Sequence, residues 1–362
     1  MGAASSVALA AALRESSDDD LNSVLRNISD KARAKLTEAS KASTPEESEP
    51  KLLDCHIHLW SDGADWAPGT SPQKGLEVAA TYTDFYTAAK EAGVAGALIV
   101  EHNFKWLKSD TKDGLDHSYL CEAMTAFPTF FRGICMVRPA VGLEMVESTL
   151  KQFCDLGFVG VRINLRDHWE KTGEGPMADV ARATFVCAGK LGMIVGLYCM
   201  TYDVSHVSAV CNLLELSPTT KVVIDHFGCF RKSGNSDEDH EKAFLALLDL
   251  AKYPQVYVKV SGWKRVSSVP VGAEMALRAD VVQYIERVVA AFTSKRALWG
   301  SDAPLALLHD GMPPGHAAYS ATIGTTYNDI ASDTAKLLAA SSLSQEECAD
   351  VLHGTAKSLF WR

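Results

Sequence analysis

The sequence lacks the excess of positive charge that a phosphate backbone requires. Its 35 Lys and Arg are outnumbered by 45 Asp and Glu, giving a formal net charge of −10. This argues against a nucleic-acid surface and leaves room for a local basic pocket. It also lacks an apolar run of the roughly 18 or more residues that a membrane span needs. Nine cysteines are present, an odd number, with no Cys-x-x-Cys pair. With no secretory leader to be read, a reducing, cytoplasmic compartment is expected. The first 50 residues contain no aromatic side chain. They are read as an N-terminal extension, flexible or partly helical at Leu21, Leu25 and Ile28, with a linker over 40–50. Asp18, Asp19 and Asp20 argue against an organelle transit peptide. The start Met1-Gly2-Ala3-Ala4-Ser5-Ser6 fits the acylation pattern at Gly2 but is read as a plain small-residue start. A membrane partner is expected only if Gly2 is acylated, and a single chain binds only marginally.

What is present is ordinary globular composition, 47% hydrophobic and 22% charged, enough for a sizeable core. From Leu52 onward a short apolar strand, a loop and a helical segment recur. Strands are expected at 52–57, 96–101, 132–137, 159–164, 193–199, 221–225, 256–260 and 297–301. They lack strict alternation, as parallel strands buried on both faces do. Helices are clearest at 82–92, 143–156, 179–191 and 279–292, and Ser344 with Glu347 forms a capping box for another. Gly93, Gly157 and Gly192 each stand between a helix and the next strand, where a left-handed residue closes the helix. Eight such units over 51–362 predict a closed (β/α)₈ barrel. A doubly wound sheet would normally carry a Gly-rich phosphate loop after its first strand, and this chain has His56-Ile57-His58 there.

In a barrel the working residues lie at the carboxyl ends of the strands. His56 and His58, two apart on a strand, can face the same side. A lone buried histidine is usually structural, but two in this position need partners. The sixth strand leads into Asp225-His226, and the eighth into Ser301-Asp302. A carboxylate there can serve as a general base, or merely cap a turn. Arg138, Arg162, Arg231 and Arg265 follow or lie on strands. Arginine binds carboxylates bidentately, though most surface arginines pair with Asp or Glu. Arg162 sits within an apolar strand, which weakens that plainer reading. Lys259, on the seventh strand, is a further polar residue with no assigned role. Glu101, His102 and the loop bearing Trp66 either contact substrate or fill the mouth.

Asp54-Cys55-His56-Ile57-His58, Gly160-Val161-Arg162-Ile163-Asn164, Ile224-Asp225-His226-Phe227-Gly228, Trp299-Gly300-Ser301-Asp302 and Gly354-Thr355-Ala356-Lys357-Ser358-Leu359-Phe360 resemble the amidohydrolase superfamily, in its "amidohydrolase 2" branch. The resemblance spans about Leu52 to Arg362 and is nearest the pyrone-dicarboxylate and sugar-lactonase group. It implies a distorted (β/α)₈ barrel and hydrolysis of a lactone or related cyclic ester of a small organic acid. Asp302 would activate water, and His56, His58 and His226 would polarise the carbonyl. Metal-dependent members carry a histidine at the end of strand five, and here Tyr198 occupies the place where the lactonases use a tyrosine for substrate. A required cofactor is therefore not expected, although zinc or another divalent cation could sit on His56, His58 and Asp302. Arg162 and Arg265 resemble the lactonases' carboxylate-binding arginines. Two further arginines of that set would fall near His168 and Cys229, which argues against a dicarboxylate pyrone. A metal-dependent decarboxylase of an aromatic or unsaturated acid, and a non-catalytic ligand-binding barrel, are the alternatives.

Overall fold

The computed structural model describes residues 52–60, 81–101, 110–111, 114–115, 117–137, 141–165, 176–232, 234–268, 279–303 and 326–362. The N-terminal extension, Trp66, His102, Arg138 and the side chain of Arg265 lie outside the described residues. Eight strands form one sheet: β1 (Leu52–Ile57), β2 (Val94–Val100), β3 (Phe131–Met136), β4 (Phe158–Asn164), β5 (Ile194–Tyr198), β6 (Val222–Ile224), β7 (Val256–Ser261) and β8 (Ala297–Gly300). Each pairs in parallel with the next in chain order. β1 and β8 meet through a parallel bridge between Ile57 and Ala303. Beside it, the Asp302 N–H donates to the His56 carbonyl at 2.8 Å and the His58 N–H to the Ala303 carbonyl at 2.7 Å. The result is a nearly closed (β/α)₈ barrel, as the alternating pattern predicts.

Among the described residues, the α-helices of five residues or more are α1 (Tyr82–Glu91), α2 (Ser118–Ala126), α3 (Val146–Asp155), α4 (Pro176–Lys190), α5 (Val204–Leu216), α6 (Asp237–Leu248), α7 (Ala279–Phe292), α8 (Tyr327–Ala339), α9 (Gln345–Ala349) and α10 (Thr355–Phe360). Their limits obey local chemistry. Thr81 and Asp203 accept from first-turn amides, while Ser236, Thr326 and Ser344 form reciprocal capping boxes with Asp239, Asp329 and Glu347. Gly93, Gly157 and Gly192 take φ of 76°, 88° and 73°, the left-handed geometry a helix stop requires. In α3, Val146, Thr149, Leu150 and Phe153 are buried, the i, i+3, i+4, i+7 stripe of a helix lying on a sheet.

Two apolar regions result. One lies between strands and helices and takes Phe185, Phe244, Phe292 and Trp299. The other draws Leu53, Cys55, Leu98, Val100, Ile134, Ile194, Val223 and Leu298 from six different strands. Only the barrel interior can collect one face from so many strands. Ala356, Leu359 and Phe360 of α10 join this second group, so the closing helix completes the floor. Cys135 and Cys199 are buried, and burial raises both thiols above their ordinary range, so each behaves as a small hydrophobe. No helix among the described residues is long and apolar enough to cross a membrane.

Candidate active site

Four predicted residues converge at the carboxyl ends of three strands. His56 is on β1 and His58 just beyond it, His226 follows β6 and Asp302 follows β8. All are buried, between 0 and 2% exposed. His56 Nε2 is 3.2 Å from His58 Nε2. Asp302 Oδ1 stands 3.8 Å from His56 Nε2 and 3.6 Å from both His58 Nε2 and His226 Nε2. A single carboxylate oxygen therefore faces three imidazole nitrogens.

Backbone geometry brings them there. His226 and Asp302 adopt φ of 51° and 62°, a conformation that costs a non-glycine residue about 1–3 kcal/mol. Surrounding bonds hold both turns. Asp54 Oδ1 accepts from the Ser301 N–H at 2.9 Å, and Ser301 Oγ from the Ala303 N–H at 3.0 Å. After β6, the Gly228 N–H donates to the Asp225 carbonyl and the Gly228 carbonyl accepts from the Thr201 N–H, both at 2.9 Å. Gly300 is required by close approach: a Cβ there would lie 2.8 Å from His56 Cβ.

On sequence the three histidines are alike, and their far-side partners separate them. His58 Nδ1 is 2.7 Å from the Val100 carbonyl. A carbonyl only accepts, so Nδ1 carries the proton and Nε2 of the neutral ring carries the lone pair. His226 Nδ1 bonds Ser261 Oγ at 2.8 Å. His56 Nδ1 lies 3.0 Å from Lys259 Nζ and 3.4 Å from Asp225 Oδ1.

Beneath the imidazoles is a charged layer that sequence reasoning did not assemble. Asp225 is fully buried. Its Oδ1 is 3.0 Å from Lys259 Nζ and its Oδ2 accepts from Arg162 Nε at 3.1 Å. Burial pushes the Asp225 carboxyl up, but the charges of Lys259 and Arg162 outweigh it and hold the group well below the usual carboxylate range. The available signal was a lysine and an arginine inside apolar strands, each facing neutralisation or pairing.

The remaining candidates divide. Tyr198 ends β5 with its ring centroid 6.4 Å from that of His226, and the Arg162 guanidinium lies over the Tyr198 ring at 5.0 Å. Arg162 and Tyr198 therefore join the site. Arg231 reaches Asp237 at 3.5 Å. Glu101 is buried 3.6 Å from His117 Nε2.

The donor set fits a divalent cation. His56, His226 and Asp302 place one donor atom each within 4.8 Å of one another, and the expected set of His56, His58 and Asp302 is equally close. Distances of 3.6–3.8 Å from Asp302 Oδ1 exceed a normal hydrogen bond. They approach the roughly 3.4 Å that separates two ligands each about 2.1 Å from a tetrahedral ion.

Burial, then the charge of Lys259, holds His56 well below its ordinary 6.5. The unfolded chain would take up this proton and the folded chain would not. The stability contribution of neutral His56 is therefore complete above about pH 6.5 and is lost as pH falls below it. Asp54 acts with the opposite sign at lower pH, because burial raises it above 3.8. The difference in urea midpoint between wild type and His56→Gln isolates the histidine. It is expected to shrink between about pH 7.5 and 5, and a constant difference would show that His56 is not buried neutral.

The amidohydrolase family model matches residues 53–361, and the chain belongs to that family. It is an amidohydrolase-related hydrolase built on the (β/α)₈ barrel. Among known proteins it is 24% identical over 255 residues to a 4-sulfomuconolactone hydrolase of Hydrogenophaga intermedia, covering 70% of this chain and 75% of that one. A structure of a probable 2-pyrone-4,6-dicarboxylic acid hydrolase from Acinetobacter baumannii with citric acid bound superposes with a TM-score of 0.62 at 20% identity, covering 86% of this chain and 100% of that one. A 5-carboxyvanillate decarboxylase from Novosphingobium aromaticivorans, complexed with manganese, superposes at 0.54 and 13% identity, covering 88% and 98%. At these identities the structural likenesses concern the fold.

Proposed function

We propose that this protein hydrolyses a lactone or related cyclic ester of a small organic acid. The observation that carries the reading is Asp302 Oδ1 facing three imidazole nitrogens at 3.6–3.8 Å in a buried mouth. Asp302 takes a proton from water as the water oxygen bonds to the ester carbonyl carbon. His226 and His56, whose Nε2–H is shared with His58 Nε2 3.2 Å away, offer Nε2–H groups to the carbonyl oxygen as it gains charge, and such fixed donors supply a large share of rate acceleration. His58 differs: the lone pair on its Nε2 accepts, and it orients rather than polarises. The ring C–O bond then breaks and Asp302 returns its proton to the leaving oxygen, giving an open-chain hydroxy acid. Arg162 spends Nε on Asp225, and its two terminal amino groups suit a substrate carboxylate beside Tyr198. A divalent ion held by His56, His226 and Asp302, or by His56, His58 and Asp302, would polarise the same carbonyl.

Kinship with a sulfomuconolactone hydrolase and the absence of a histidine at the end of β5 support this choice over decarboxylation. The test is a screen of acidic five- and six-membered lactones beside aromatic acids, with and without exhaustive chelation. Ring opening that survives chelation is expected. Carbon dioxide release from an aromatic acid, lost on chelation and restored by manganese or zinc, would replace this reading with the decarboxylase.

A further inference from the structure

Lys259 has no part in the chemistry above, yet it is 2% exposed within β7 and in contact with the site. Its Nζ lies 3.0 Å from Asp225 Oδ1 and 3.0 Å from His56 Nδ1. An ammonium group has three protons and no lone pair, so each group it bonds must accept. His56 Nδ1 is therefore the lone-pair nitrogen, and the single proton of the neutral ring sits on Nε2. His58 is fixed from the opposite end, because the Val100 carbonyl can only accept from Nδ1. Between them, His56 Nε2 donates to His58 Nε2 at 3.2 Å. The contacts satisfy one direction of donation, from Lys259 through His56 and His58 to Val100.

This direction matters for what the site can hold. A histidine that ligates a metal presents a lone pair inward and commonly donates its other N–H to a carboxylate. Asp225 Oδ1, 3.4 Å from His56 Nδ1, is the carboxylate that could receive it. Lys259 Nζ is nearer to Nδ1 and stands 3.0 Å from the same oxygen. We propose that Lys259 is a positioning residue that selects the tautomer of His56, keeping it a donor toward the substrate and weakening divalent-cation binding on an otherwise well-spaced ligand set. The inference deepens the hydrolytic reading of the site and rests on it for the role of that donor.

The test uses the full chain and no turnover. In the ¹⁵N-labelled wild type, long-range proton–nitrogen correlation of the imidazoles, assigned with His56→Gln, is expected to place the proton of His56 on Nε2 and that of His58 on Nδ1. Zinc ion titrated by calorimetry should bind at least tenfold more tightly to Lys259→Met and Lys259→Gln than to wild type, with the His56 proton moved to Nδ1. Lys259→Arg, which keeps a charged donor, should retain the wild-type tautomer and the weak binding. A wild-type His56 protonated on Nδ1 would overturn the proposal, whether or not the variants fold. Unchanged or weaker zinc binding in the folded Met and Gln variants would overturn it too. If instead no lactone is turned over while these signatures appear, the hydrolytic reading fails and the role of Lys259 stands.

Discussion

Replacing Asp302 with asparagine is expected to lower kcat by about 10³-fold or more on any lactone the screen identifies, with cooperative unfolding retained. General-base assistance typically contributes about 10²–10⁴-fold, and asparagine keeps the shape while losing the basic oxygen. The fold should tolerate the change for a specific reason. Asp302 holds φ of 62°, and asparagine is among the few side chains that enter this left-handed region readily. Its main-chain tie to the His56 carbonyl is untouched. Alanine lacks that tolerance, so Asp302→Ala should lose stability as well as rate. Steady-state kinetics and urea unfolding on the same preparations separate the two effects. An Asp302→Asn enzyme with wild-type kcat would remove Asp302 from the chemistry.

The second large effect concerns stability. Asp225→Ala is expected to destabilise the protein by about 3–5 kcal/mol, because it strips the shared counter-charge from two buried cations. Lys259 and Arg162 both lean on this one carboxylate, and all three are at most 6% exposed. Asp225→Asn should cost less, since the amide oxygen still accepts from one neighbour. The folded carboxyl titrates well below its ordinary 3.8. Its contribution is therefore complete above about pH 4 and is lost only as pH falls further, through the folded value. The urea midpoint of Asp225→Ala should then converge on wild type in strong acid, below the window in which His56 acts. An Asp225→Ala midpoint equal to wild type at neutral pH would show that water already screens this layer.

Under the proposed function, the same layer is expected to set a substrate preference. Arg162 is fixed by Asp225 through Nε, so its terminal amino groups are presented as a rigid pair rather than on a flexible stem. A carboxylate that meets them gains bidentate geometry at low entropic cost. This favours lactones bearing an acid group over neutral ones.

The sequence by itself determined the barrel. Strand and helix limits depend on short apolar runs, capping residues and helix-ending glycines, all local within a few residues. The observed strands accordingly fall within about two residues of expectation, an ordinary margin for element ends. The convergence of His56, His58, His226 and Asp302 was legible for a related reason: once eight parallel strands are accepted, residues at their carboxyl ends must share one mouth. Tertiary structure alone decided how those residues are used. Lys259 meets His56 across 203 residues of sequence and Arg162 meets Asp225 across 63, contacts set by strand register and barrel closure that no local pattern encodes. Direction of hydrogen bonding was equally hidden, because a histidine's role depends on what stands behind its far nitrogen. The left-handed turns at His226 and Asp302 were hidden too: Asp and His enter that region more readily than most side chains, but only as a weak preference that marks no particular position. Strain of that kind persists only where the surrounding fold over-determines the backbone, and here the β1–β8 closure and the Thr201–Gly228 pair do so.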